Sequence, residues 1–154
     1  MLVWKALHVV SMFIMVAGFI GTEVFFAAAI RRRDVRATAF VQRTLEKTGF
    51  GPLAFLALLA GIVFGLLTAA SGGFNFSAGW LLGAYALIGV FLVNAVLAGK
   101  PVVDAGKASI EADEGRASVE AVAASLPVGR ATYIVLANAA TFAAIVLLMV
   151  LKPF

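Results

Sequence analysis

LVWKALHVVSMFIMVAGFIGTEVFFAAAI, residues Leu2 to Ile30, is apolar but for a few polar residues and runs directly into Arg31-Arg32-Arg33. As a helix at 1.5 Å per residue the run reaches roughly 43 Å, more than the roughly 30 Å hydrocarbon core of a bilayer. It is a membrane span. Wound at 100° per residue, Lys5, His8, Met12, Met15, Phe19, Thr22, Glu23 and Phe26 fall on one side, which is therefore expected to face other helices. A secretory signal places its positive charge before a shorter apolar core, whereas here the arginines follow a longer one, so the span is read as retained.

Composition agrees with that start. Hydrophobic residues make up 63% and charged residues 13% of the 154 residues, with a mean hydropathy of +1.06, far outside the range of soluble globular domains. The length allows a single membrane domain over 1–154. With no cysteine, disulfides, thiolate metal sites and cysteine nucleophiles are all excluded. The net charge of +4 does not indicate nucleic acid, because the basic residues flank apolar runs instead of alternating with aromatics.

Outward from the first span, residues 31–51 form a basic loop. Within it Arg36, Arg43 and Lys47 lie opposite Ala37, Val41 and Leu45, which predicts a short amphipathic helix at the lipid headgroups. Gly49, Gly51 and Pro52 punctuate its end, and Pro52 suits the first turn of the second span, about 52–70. That span carries Gly61 and Gly65, a small-xxx-small pair that lets another backbone approach closely. The short turn that follows predicts the second and third spans as antiparallel neighbours. Phe74, Phe76 and Trp80, with Trp4, make an aromatic band at that interface.

The third span, about 80–98, carries Asn94 and is expected to stop at Gly99-Lys100-Pro101. Residues 99–130 are too charged to enter lipid. Val119, Val122 and Leu126 sit at helical spacing there, which predicts a helix ended by Pro127 and Gly129. The last span, about 131–151, contains Thr132, Asn138 and Thr141. Ten Lys and Arg residues lie in the two loops, against Lys5 and Lys152 elsewhere. The fold expected is therefore all-α, a four-transmembrane-helix bundle with both termini outside, in the inner (plasma) membrane of a bacterium.

Few residues in the spans could carry chemistry. An ionised side chain such as Glu23 within the membrane costs roughly 2.5 to 3.5 kcal/mol on insertion scales, so it needs protonation, pairing or a wet cavity. By depth its partners are Asn94 and Asn138, together either an inter-helix lock or a proton or solute site. His8, the single histidine, suits an axial haem ligand, a copper ligand with Met12, or a packing bond to a neighbouring helix. A haem b would take its second axial ligand from His8 of another protomer or from Met149, which the topology returns to the depth of His8. Met12 and Met15 also suit packing. No phosphate loop, nucleophile with its base, or zinc motif is present.

The opening Trp4-Lys5-Ala6-Leu7-His8-Val9-Val10, the apolar run with Gly18 and Gly21, and the basic loop after it resemble the start of an uncharacterised family of bacterial four-helix integral membrane proteins. The K-x-x-H opening is also similar to that of the membrane-embedded, haem-associated protoporphyrinogen oxidases and the copper-resistance D membrane proteins. The resemblance covers mainly residues 4 to 33 and implies a histidine near the outer face that serves haem or copper. The chain departs from the oxidase pattern in having no arginine before Arg31, no further histidine and no lysine within the third span. The function expected is a small accessory or scaffold protein, a homodimer or a subunit of a larger membrane complex surrounded by membrane lipids. The alternative is a haem- or copper-binding redox or transport protein using His8.

Overall fold

A computed structural model describes residues 1–152. Among them run the helices α1 (Leu2–Arg31), α2 (Val35–Thr48), α3 (Phe50–Ser71), α4 (Gly79–Asp113), α5 (Val119–Ser125) and α6 (Val128–Leu151). Four of these, α1, α3, α4 and α6, are long and apolar enough to cross a membrane. An even number of crossings leaves both termini on one side.

α1 is the central helix, packed on α3 along one side and on α6 along another, while α4 packs on α6 and α2. Small residues let α1 and α3 approach closely: Ala54 lies against Gly18, Met12 against Gly61 and His8 against Gly65. The short turn between α3 and α4 predicts packed neighbours, and here the structure differs. The two are not closely apposed along their backbones and meet mainly through Phe91, which joins Met15, Ala57 and Leu58, and through Ala69 beside Trp80 and Leu81. Phe91 also stands edge-on to Phe19 of α1 at 5.7 Å. At this end of the bundle Phe74 stands edge-on to Trp80 at 5.7 Å, and Trp4 stacks on Phe64 at 6.1 Å.

The largest apolar cluster lies at the opposite end, around Phe26, Ile30, Val35, Val102, Val122 and Leu126. That placement is physical, since lipid tails give no hydrophobic drive between spans whereas segments outside the membrane must hide their apolar faces from water. Two expectations fail in this lobe. The first is the helix stop at Gly99-Lys100-Pro101: α4 runs through Pro101 to Asp113. Pro101 removes one backbone donor, but Val102, Gly106, Ser109 and Ala112 are buried on the continuing helix, and that burial outweighs the lost bond. The second is Gly129 as an end of the loop helix: α5 stops at Ser125, just before Pro127 as expected, but Gly129 lies inside α6, whose N-cap is Pro127.

The expected amphipathic helix is α2, started by Asp34, whose Oδ1 accepts from the Ala37 N–H at 2.9 Å. Its buried face differs from the one expected. Val35, Thr38, Ala39 and Gln42 are buried against the α4 extension, while Ala37, Val41 and Leu45 are half-buried. Gln42 covers Gly106 so closely that a Cβ there would stand 2.6 Å from its Oε1. Arg43 ties the two helices at the surface, donating to Asp113 at 2.6 Å and Glu114 at 3.3 Å. The Asp113 hydrogen bond holds the Arg43 guanidinium above its ordinary pKa. Such exposed pairs add little to stability and are screened by salt, so the buried face carries the docking. Arg33 donates to the carbonyls of Ala123 and Ala124 at 3.1 and 3.2 Å, tying α5 to the end of α1.

Candidate functional site: an intramembrane polar chain

Glu23 on α1, Asn138 on α6 and Asn94 on α4 form one hydrogen-bonded chain. Asn94 Nδ2 donates to Asn138 Oδ1 at 2.7 Å, and Asn138 Nδ2 donates to Glu23 Oε1 at 2.6 Å. Asn138 is fully buried and sits at the centre. Both asparagines were expected as partners of Glu23; the structure brings only Asn138 to it, with Asn94 one step further. The chain therefore clamps three spans through one side chain. Hydrogen bonds between spans average roughly 0.6 kcal/mol and reach about 1.7. Glu23 Oε2 is buried without a partner, so one acceptor position of the chain stays open. At the other end, Asn94 lines a lateral groove of about 820 Å³ between α4 and α6, with Arg130 and Tyr133 in its lining.

His8 stands apart from this chain, on the face of α1 toward α3. Its Nδ1 lies 2.7 Å from the Gly61 carbonyl oxygen, which can only accept, so Nδ1 donates in this bond. Gly65 makes room for the ring, since a Cβ there would stand 3.0 Å from Nδ1. Met15 is buried with Ala57, Leu58 and Phe91. Met149 packs with Ala78 against Ala69, Trp80 and Leu81. Among the described residues there is no group of three or more His, Cys, Asp or Glu that could share a metal.

With the spans and their polar chain in place, the comparisons with known proteins give one result. The chain matches, over residues 2–153, the family described as "Predicted integral membrane protein (DUF2269)". It belongs to that family. No curated protein and no solved structure gives a significant match. The DUF2269 match covers the whole span architecture and makes the chain a multi-pass integral membrane protein.

Several residues of this DUF2269 chain that matter to the packing carry no chemical signature. Ser11 and Gly18 are buried on α1, and Thr38, Gln42 and Ser109 in the lobe. The usable signal for the lobe is the recurrence of Val102, Gly106, Ser109 and Ala112 at helical spacing inside a charged segment. Of the seam expected on α1, Met15 and Phe26 are buried, His8, Met12, Phe19 and Glu23 half-buried, and Lys5 exposed.

Proposed function

We propose that this protein is an accessory or scaffold component of a membrane complex in the bacterial inner membrane, with both termini outside. The observation that carries this reading is that the polar groups of its spans are mostly engaged with other groups of the protein. Glu23, Asn138 and Asn94 bind one another, His8 binds the Gly61 carbonyl, and Thr68, Thr132 and Thr141 return to carbonyls one turn back on their own helices. α6 is the least covered of the spans and leaves Leu136, Leu147 and Val150 exposed, an apolar flank for lipid or for a partner span, including a second copy. The test is two measurements on the full chain: blue-native electrophoresis after mild solubilisation, and proton flux in reconstituted vesicles. A scaffold migrates in an assembly larger than one chain and gives no flux; flux that disappears in Glu23→Gln with the fold intact would make the polar chain a transport site instead.

Orientation is supported by the ten-to-two distribution of Lys and Arg. Cysteines introduced at Met1 and Ser77 should react with an impermeant thiol reagent in intact cells, and one at Ala108 should not. Labelling of Ala108 alone reverses the orientation, and the absence of native cysteine keeps the assay clean.

A second reading, a haem b or copper protein, is favoured by one feature. A ligating imidazole ordinarily has its other nitrogen hydrogen-bonded, which is how Gly61 holds His8. His8 would then supply Nε2, with Met149, Met12 or a second protomer's His8 completing the ligand set. Protein expressed with ample haem and copper should then be coloured or metal-loaded. A haem held by two copies of His8 appears at one per two chains and a His8/Met149 haem at one per chain. Both vanish in His8→Ala, and only the second shifts in Met149→Leu. Colourless, metal-free protein leaves His8 as a packing residue.

A further inference from the structure

On the basic-loop side, α1, α2 and α3 enclose a groove of about 460 Å³ that the polar chain does not use. Its floor is the small-residue face of α1, including Ala17, Gly21 and Ala28, and α2 overhangs it with Val41 and Leu45. This gives the apolar side of α2 a further purpose, since Ala37, Val41 and Leu45 are only half-buried and line the groove, while Val41 and Leu45 also rest on the apolar cluster around Phe26 and Val102. A Cβ built on Gly21 meets nothing within 4 Å, so the space is open down to the helix backbone.

From Ala17 to Arg32, α1 rises roughly 22 Å, compared with a half-thickness of about 15 Å for the hydrocarbon core. The groove therefore begins at acyl-chain depth and ends among headgroups. Charge appears only at its mouth, on Arg32 and Asp34. Asp34 Oδ1 is committed to the Ala37 N–H. The Arg32 side chain has no hydrogen bond or ion pair among the described residues, in contrast to that of Arg33, which is bound to α5. A helix is about 10–12 Å across and would enter only if α2 left.

We propose that this groove binds one membrane phospholipid, with an acyl chain along α1 beneath α2 and its phosphodiester on Arg32. A guanidinium offers paired donors that match phosphate oxygens, and the apolar lining matches a chain that needs no hydrogen bonds. The overhanging α2 would hold the lipid in place.

The experiment is native mass spectrometry of the full chain in mild detergent, titrated with phosphatidylglycerol and, separately, with diacylglycerol, which lacks the phosphate. The wild type should retain one phosphatidylglycerol per chain and no diacylglycerol. Arg32→Gln should weaken retention about fivefold, the effect of one basic residue at a lipid surface. Lys107→Gln, which removes an exposed cation on α4 away from the groove, should leave it unchanged. Gly21→Leu and, independently, Ala17→Phe should abolish retention by filling the groove, each checked for wild-type helicity and a single elution peak. Equal weakening by Lys107→Gln and Arg32→Gln, or retention that survives both filling variants, would overturn the proposal. So would a dimer that the filling variants dissociate, because the groove would then hold a second copy.

Discussion

Replacing Asn138 with leucine should destabilise the bundle more than any other change in the polar chain. The substitution removes both inter-span hydrogen bonds at once and strands the Glu23 carboxyl and the Asn94 amide in low dielectric. Each stranded group costs roughly 1–3 kcal/mol in a protein interior, and membrane hydrogen bonds sit at the low end, so the expected loss is about 2–3 kcal/mol. Asn94→Leu and Glu23→Leu, which each break one bond, should lose about half as much. Glu23→Gln should stay within about 0.5 kcal/mol of wild type, because the glutamine carbonyl still accepts from Asn138. Unfolding in mixed micelles followed by circular dichroism gives this order. Wild-type stability of Asn138→Leu would mean that the chain contributes nothing to the bundle.

Gly18→Leu should have an effect of similar size by a different route. A Cβ at Gly18 collides with the Cβ of Ala54 and comes within 3.3 Å of its Cα, and backbone cannot turn aside as a side chain can. Overpacking of this kind costs about 1–3 kcal/mol and occasionally more, and here it would lever α1 from α3 along their contact. Two alanine substitutions serve as controls. Gly61→Ala meets chiefly the flexible end of Met12, so it should cost less than Gly18→Ala. Gly21→Ala meets nothing and should be neutral or stabilising through helix propensity, worth up to about 1 kcal/mol. Equal losses for Gly18→Ala and Gly21→Ala would remove close approach as the basis of the α1–α3 contact.

Heights along the helices were legible in the sequence, and positions around the bundle were not. Hydropathy and charge fix how deep a residue lies in a span, so Glu23, Asn94 and Asn138 could be placed at a common level. Which helix stands beside which is decided by side-chain bulk, here Gly18 admitting Ala54 and Phe91 meeting Met15, Ala57 and Leu58, and neither has a periodic signal. For that reason the middle position of Asn138 and the central place of α1 emerge only in three dimensions. The α4 extension was missed on local grounds, because Pro101 and the charges at Asp104, Lys107 and Glu111 read as an exit from the helix. Those charges line the outer face, while Val102, Gly106, Ser109 and Ala112 on the other face are buried, and tertiary packing overrides the local preference. The apolar side of α2 was legible as a face but not as to what it faces.

Glu23 and Asn138 act as one unit in joining α1 to α6, and a double-mutant cycle measures that coupling. Glu23→Leu, Asn138→Leu and the double variant are unfolded under one set of micelle conditions. The double variant should lose less than the sum of the single losses by roughly 0.6–1.7 kcal/mol, the coupling of a hydrogen bond between spans. Strict additivity would contradict it.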